Sequence, residues 1–369
     1  LKFRSSRTAL EHALSVVTHV IDSHATLPVL SNILIKAAGK KVHFSATNLE
    51  MAVNYWMEAE VINEGSVTVP AKLFSGYISL LKDEEVECTM VEGLSLAINS
   101  AGSKTKMKCI AAAEYPTIGK LEEVVSFEIP TEDFPQAIEQ VCFAASTANT
   151  RPVLSGVLVE VEGKQVMLVA TDSFRLSEKK IALTKAVAKS ATCIIPVRGA
   201  LEMARLASAE TDAKKVKIIM GKNQVLAEIG NIEFYSRLIE GNFPNYRQIM
   251  PRSIRTSTTL TTGDQALAVK RVNLFARENN NKVLFDFQTN KLKLTTPVTQ
   301  VGEEEGELPI SLSGDPGTIA LNSEFVLDAL AHLGTDQVEM GMNDSKSPAV
   351  FKPVGKDDFV HIIMPLKLQ

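Results

Sequence analysis

The residues able to do chemistry are few and badly spaced for it. Six histidines (His12, His19, His24, His43, His332 and His361) show no HExxH or HxH pattern, so none is set out as a metal-ligand pair. His12 and His19 can share a helix face, but no carboxylate set stands near them, and they read as exposed helix histidines. Four cysteines, Cys88, Cys109, Cys142 and Cys193, lie far apart without a CxxC; this fits a reducing compartment and argues against zinc. The run Gly302-Glu303-Glu304-Glu305-Gly306-Glu307 is contiguous, whereas a hard cation needs oxygens converging from spaced positions around a turn. It reads as a solvated or partner-facing edge. Asp172 and Arg175 in ATDSFR could be imagined as an acid and its partner. Because Ala46-Thr47-Asn48 repeats the start of that motif, a turn bonded to its own backbone is the better reading. No GxSxG elbow, Walker loop or GxGxxG occurs. Neither catalysis nor a metal or cofactor is expected.

The elements that carry these residues are organised by repetition. PVLSNILIK begins at Pro28 and PVLSGVLVE at Pro152; the same interval separates Ala46-Thr47 from Ala170-Thr171. A strand, a breaker and a helix recur around Pro70 and Pro196, and a third version carries Leu321-Asn322-Ser323. Each block closes alike, at Tyr115-Pro116, at Phe243-Pro244 and at the chain-end IIMPLKLQ. The 369 residues therefore divide into three homologous domains at 1–125, 126–253 and 254–369. Each block pairs two helices with several antiparallel strands. One helix is expected over Thr8–Ile21, a second after an N-cap at Thr131, and a third capped by Ser323. Strand pairs are expected at 215–220 with 224–229 and at 283–287 with 291–295. This is α+β, not a Rossmann alternation.

Composition agrees. Apolar residues make up 45% and charged residues 22%, which excludes disorder and fibrous repeats. No apolar run reaches the roughly 18–20 residues of a membrane span, and the start lacks a secretion-type apolar block. A cytoplasmic protein is expected. The net charge of −4, from 39 basic and 43 acidic residues, excludes a uniformly basic nucleic-acid binder but not one with its cations on one surface.

The ordered set KFRSS, LPVLSNILIKA, TNLEMAV, TVPAKLF, RPVLSGVLVE, VATDSFRLS, IIPVRGALEMARL, GNFPNYRQIMP and MPLKL closely resembles the bacterial β sliding clamp family over the whole length. The resemblance implies three clamp-type domains with sheets outside and helices inside. Two chains would dimerise head to tail into a ring around double-stranded DNA, read without sequence preference. It implies no cofactor, and as partners the replicative polymerase, a clamp loader, and other polymerases and repair proteins that dock short peptides. Carried over position by position, the peptide groove is Leu154, Thr171, Ser173, Phe174, Arg175, Leu176, Pro244, Ile249, Asn322, Phe325, Pro348, Ile362, Met364, Pro365 and Leu366. A sliding ring attracts phosphates without gripping bases, and His24, Lys72, Lys82, Arg198, Arg205, Lys270 and Arg271 are the expected DNA-facing residues. Lys104, Lys106 and Lys108 alternate and so share one strand face. With Glu303, Glu304, Glu305 and Glu307 they form complementary edges for the dimer, and Met107, Leu274 and Phe275 would supply its apolar centre. Phe174 stands where the family often has His, Ser173 where it often has Gly, and Gln248 where a basic residue is common. Two rivals remain: a second clamp serving repair, and a carbohydrate- or nucleotide-processing enzyme on a triplicated scaffold.

Overall fold

The computed structural model describes residues 1–22, 27–82, 84–119, 121–148, 150–297 and 302–368. Six α-helices are present among them: α1 (Arg7–Val17), α2 (Ala71–Ser79), α3 (Phe134–Cys142), α4 (Val197–Ala209), α5 (Thr262–Ala276) and α6 (Ser323–His332). They fall two to a repeat. Ser6 caps α1, its Oγ accepting from the Ala9 N–H at 3.1 Å. The helix ends at Val17 and continues as a 3-10 turn over Thr18–Val20, short of the expected Ile21. Two expected caps move. Helix α3 starts at Phe134, beyond Thr131, whose Oγ1 is buried without a partner. At α6 the cap is Asn322, whose Oδ1 accepts from Glu324 N at 2.9 Å and Phe325 N at 3.4 Å. Ser323 is instead buried inside the first turn, its Oγ donating to Asn273 Oδ1 at 2.6 Å.

The chain forms two compact units, and neither is a single repeat. One contains Leu1–Pro135, Val187–Ala191 and Arg198–Leu238; the other contains Gln136–Ala186, Thr192–Val197 and Ile239–Gln369. Within the first unit, an eight-stranded sheet runs Val125–Pro130, Lys215–Met220, Gln224–Ile229, Ile232–Arg237, Met51–Glu58, Lys41–Thr47, Asn32–Ala38, Gly65–Pro70. Its centre joins the second repeat to the first through the pairs Phe234↔Val53 and Ser236↔Met51. A five-stranded sheet in the same unit runs Glu60–Asn63, Lys2–Ser6, Glu85–Val91, Ser95–Ser100, Ser103–Lys108.

The second unit follows the same plan. Its eight-stranded sheet runs Ala191–Pro196, Gly156–Glu162, Gln165–Thr171, Arg175–Ala182, Phe359–Ile363, Ala349–Pro353, Gln337–Met342, Thr256–Thr261. Here the second repeat joins the third through Arg175↔Ile363 and Ser177↔His361. A four-stranded sheet runs Glu305–Pro309, Lys291–Thr295, Lys282–Phe287, Gly317–Asn322. Alternate residues Val283, Phe285 and Phe287 turn inward. They meet Val269 and Val272 of α5 and Val326 and Leu330 of α6 in one continuous core. A separate cluster of Leu158, Val169, Leu176, Ile194, Tyr246, Val350 and Ile362 packs at the seam of the second and third repeats.

Candidate peptide groove and nucleic-acid interface

The groove begins with a turn. After the strand Gln165–Thr171, the chain must reverse into Arg175–Ala182, and it does so with side-chain help. Thr171 Oγ1 donates to the Arg175 carbonyl at 2.6 Å and accepts from Ser173 N at 3.1 Å. Asp172 Oδ1 accepts from Phe174 N and Arg175 N, both at 2.9 Å. Ser173 takes φ of 82°, the left-handed region that costs an L-residue roughly 1–2 kcal/mol and favours glycine. The geometry aims Phe174 outward, 63% exposed, and turns Arg175 inward. The first repeat builds the same turn: Thr47 Oγ1 donates to Met51 O at 2.8 Å, Asn48 Oδ1 accepts from Glu50 N and Met51 N, and Leu49 has φ of 75°.

A cavity of about 520 Å³ opens beside Phe174, lined by Ala145–Ala148, Thr150, Arg151, Leu154, Asp172–Arg175 and Phe325. Of the expected groove residues, it gathers Leu154, Ser173, Phe174, Arg175 and Phe325. Thr171 and Asn322 hold its walls as turn former and helix cap. Leu176 and Ile362 are corrections: both are fully buried in the seam core and support the groove from beneath rather than line it. Met364, Pro365 and Leu366 run on from the strand Phe359–Ile363. The Met364 N–H donates to the Phe174 carbonyl and the Leu366 N–H to the Ala320 carbonyl, both at 2.8 Å. Pro244 and Ile249 are exposed and Pro348 is partly buried, all three outside this cavity's lining. The wall at Ala145–Ala148, Thr150 and Arg151 was not expected, because a mixed stretch after a helix carries no signal of its own.

Arg175 is the most constrained side chain of the site, 12% exposed. Its Nε donates to Asp172 Oδ2 at 3.0 Å and its Nη1 to Asp328 Oδ2 at 2.5 Å. The guanidinium lies 4.5 Å from the centre of the Phe325 ring and 5.6 Å from that of Phe143. Phe143 in turn stacks on His332 at 4.2 Å and tilts against His361 at 5.0 Å. His361 is wholly buried, with Nδ1 2.7 Å from Ser177 Oγ. Burial, then the charges of Arg175 and His332, depress its pKa to about 3.

Among the described DNA-facing cations expected from the sequence, Arg205 is partly buried and the others are exposed. Lys72 and Lys82, and Lys270 and Arg271 on α5, are exposed. Around the last two, Leu267 and Leu274 complete one exposed face of α5. Arg198 and Arg205 are engaged within the chain. Arg198 donates to Asp22 at 2.6 Å and holds that carboxyl below its ordinary pKa. Arg205 bonds Glu202 at 2.6 Å and the Val16 carbonyl at 3.3 Å, tying α4 to α1. Their fields are partly neutralised at source. His24 lies outside the described residues.

The two charged strands stand where they can meet another chain. Ser103–Lys108 is one edge strand of its sheet and Glu305–Pro309 one edge strand of the other. Lys104, Lys106 and Lys108 are exposed, as the alternation requires. Met107 is a correction: at 3% exposure, paired with Leu96, it faces its own core and offers no apolar surface. Glu305 and Glu307 already bond Lys293 and Lys291 at 2.8 and 2.5 Å, while Glu303 is exposed and Glu304 partly buried. Leu274 is 63% exposed and Phe275 partly buried. No group of three or more His, Cys, Asp or Glu side chains that could hold a metal occurs among the described residues.

Comparison with known proteins is consistent from end to end. Models of the DNA polymerase III beta subunit match as N-terminal domain over residues 1–119, central domain over 128–245 and C-terminal domain over 247–367. The beta sliding clamp of Vibrio cholerae is 29% identical over 372 residues, with 100% of both chains covered. That of Synechocystis sp. is 26% identical over 389 residues, again with 100% of both covered. Among solved structures, a Pseudomonas aeruginosa sliding clamp bound to griselimycin superposes with a TM-score of 0.95 at 28% identity, covering 100% of this chain and 99% of that one. A Bacillus subtilis clamp gives 0.94 at 25% identity, with the same coverage. Three repeated α+β domains of this kind define the sliding-clamp class, the processivity factors of DNA replication. The chain belongs to the DNA polymerase III beta subunit family.

Proposed function

We propose that two copies of this chain close head to tail around duplex DNA, each built from domains at 1–125, 126–253 and 254–369, and that the ring tethers the replicative polymerase. The observation that carries this reading is the pairing rule of the two seams. At each, the strand after the Thr-Asx turn (Met51–Glu58, Arg175–Ala182) pairs with the last strand of the following repeat (Ile232–Arg237, Phe359–Ile363). Applying the rule once more leaves two unused strands, Glu305–Pro309 of the third repeat and Ser103–Lys108 of the first. They are of opposite charge and on different ends of the chain, so each can be satisfied only by a second copy, in one register and one order. Leu274 of α5, and Leu80 after α2 at 82% exposed, supply apolar surface for such a contact.

Inside the ring, Lys72, Lys82, Lys270 and Arg271 would hold phosphates loosely, with residence coming from linkage rather than affinity. Net acidity elsewhere discourages DNA from lying on the outside. Partners, which we take to include the polymerase, an ATP-driven loader and repair proteins, dock short apolar peptides at the Phe174 groove in the cytoplasm, where the ring accompanies the nucleoid. Deleting Met364–Gln369 tests the groove: polymerase stimulation should be lost while sedimentation still reports a dimer. Unchanged stimulation would reject the assignment.

A further inference from the structure

The first repeat shows what the turn alone requires, and it does not require an arginine. With Met51 in place of Arg175 and Asn48 in place of Asp172, the same backbone bonds form to within about 0.2 Å. The ion pairs of Arg175 therefore serve the cavity, not the turn. There the guanidinium is held by two carboxylates at 3.0 and 2.5 Å and covered by the Phe325 ring, with 12% of its side chain exposed. Asp172 is itself largely buried, but Asp328 is 48% exposed. Two carboxylates thus face the one guanidinium of Arg175, and Asp328 is the most exposed member of the three. Arg151 lines the same cavity but enters none of these pairs.

We infer that Asp328 is a specificity-determining residue of the peptide groove: its carboxylate offsets the charge of Arg175, so that this wall receives apolar or neutral side chains and rejects acidic ones. A ligand carboxylate approaching the guanidinium N–H groups that Asp172 and Asp328 leave open would meet Asp328 as a like charge in partly desolvated surroundings. The inference rests on the groove reading above, and the test separates the two. The probe is a capped, fluorescently labelled hexapeptide of leucine, phenylalanine and serine, compared with versions carrying one glutamate at each serine in turn. It is measured by anisotropy on the intact protein and on Asp328→Asn, which keeps an oxygen for Arg175 and sits at a half-exposed site compatible with folding.

The expected result is that the neutral peptide binds, that at least one glutamate version binds about tenfold or more weakly, and that Asp328→Asn shrinks this gap to about threefold or less. Neutral and all glutamate versions binding equally, or an unchanged gap in Asp328→Asn, would overturn the role of Asp328 while leaving the groove intact. Failure of the neutral peptide to bind at all would overturn the groove reading, and this inference with it.

Discussion

His361 links a buried ring to the stability of the site. Unfolded, a histidine gains its proton below about pH 6.5. Folded, His361 stays neutral down to about 3 because burial and the neighbouring positive charges disfavour the cation. Between those values the unfolded chain binds the extra proton, so stability falls as pH falls, by about 1.4 kcal/mol per pH unit for this one group. Urea unfolding at pH 7 and 5 should therefore show a loss in the native protein about 2 kcal/mol larger than in His361→Gln. Equal losses would show that His361 titrates normally in the fold. At this scale the sequence was readable where a motif repeats: the Thr171-Asp172 turn follows from its twin at Thr47-Asn48. It was unreadable where partners are distant along the chain. Nothing near Arg175 announces Asp328 or Phe143, whose contacts with its guanidinium come from elsewhere in the chain.

Among the elements, the edge strands carry the most consequence, because an unpaired edge is a template for another chain. Lys104 and Lys106 project from Ser103–Lys108 without being needed by the protomer's own core. Replacing both by glutamate should weaken dimerisation by about tenfold or more and change the salt dependence of the remainder, with little change in protomer stability. Sedimentation equilibrium at two salt concentrations measures this, and an unaltered dimer would exclude these strands from the interface. Helices and hairpins were legible from periodicity and turn residues. Caps were less so: Thr131 and Ser323 have capping chemistry, yet Phe134 and Asn322 mark the actual starts, since burial and longer reach decide which polar group takes the role. Met107 misled for a related reason. Strand alternation that exposes three lysines must turn the residue between them inward.

For the molecule as a whole, three repeats do not make three compact units. The second repeat divides its strands between neighbours, giving one half to Met51–Glu58 and the other to Phe359–Ile363. Repetition was visible in Pro28 and Pro152 and their companions, but the sharing was not, because strand pairing between repeats leaves no local mark on sequence. Two edge strands, Glu305–Pro309 and Ser103–Lys108, take no part in that sharing, and in the function proposed above they close on a second copy around DNA. The direct measurement is retention: the protein is placed by a clamp loader and ATP on nicked circular DNA, half is linearised with a restriction enzyme, and both are filtered in high salt. Protein should stay with the circles and be lost from the linear molecules by sliding off free ends. Equal loss from both, or equal retention on both, would contradict encirclement.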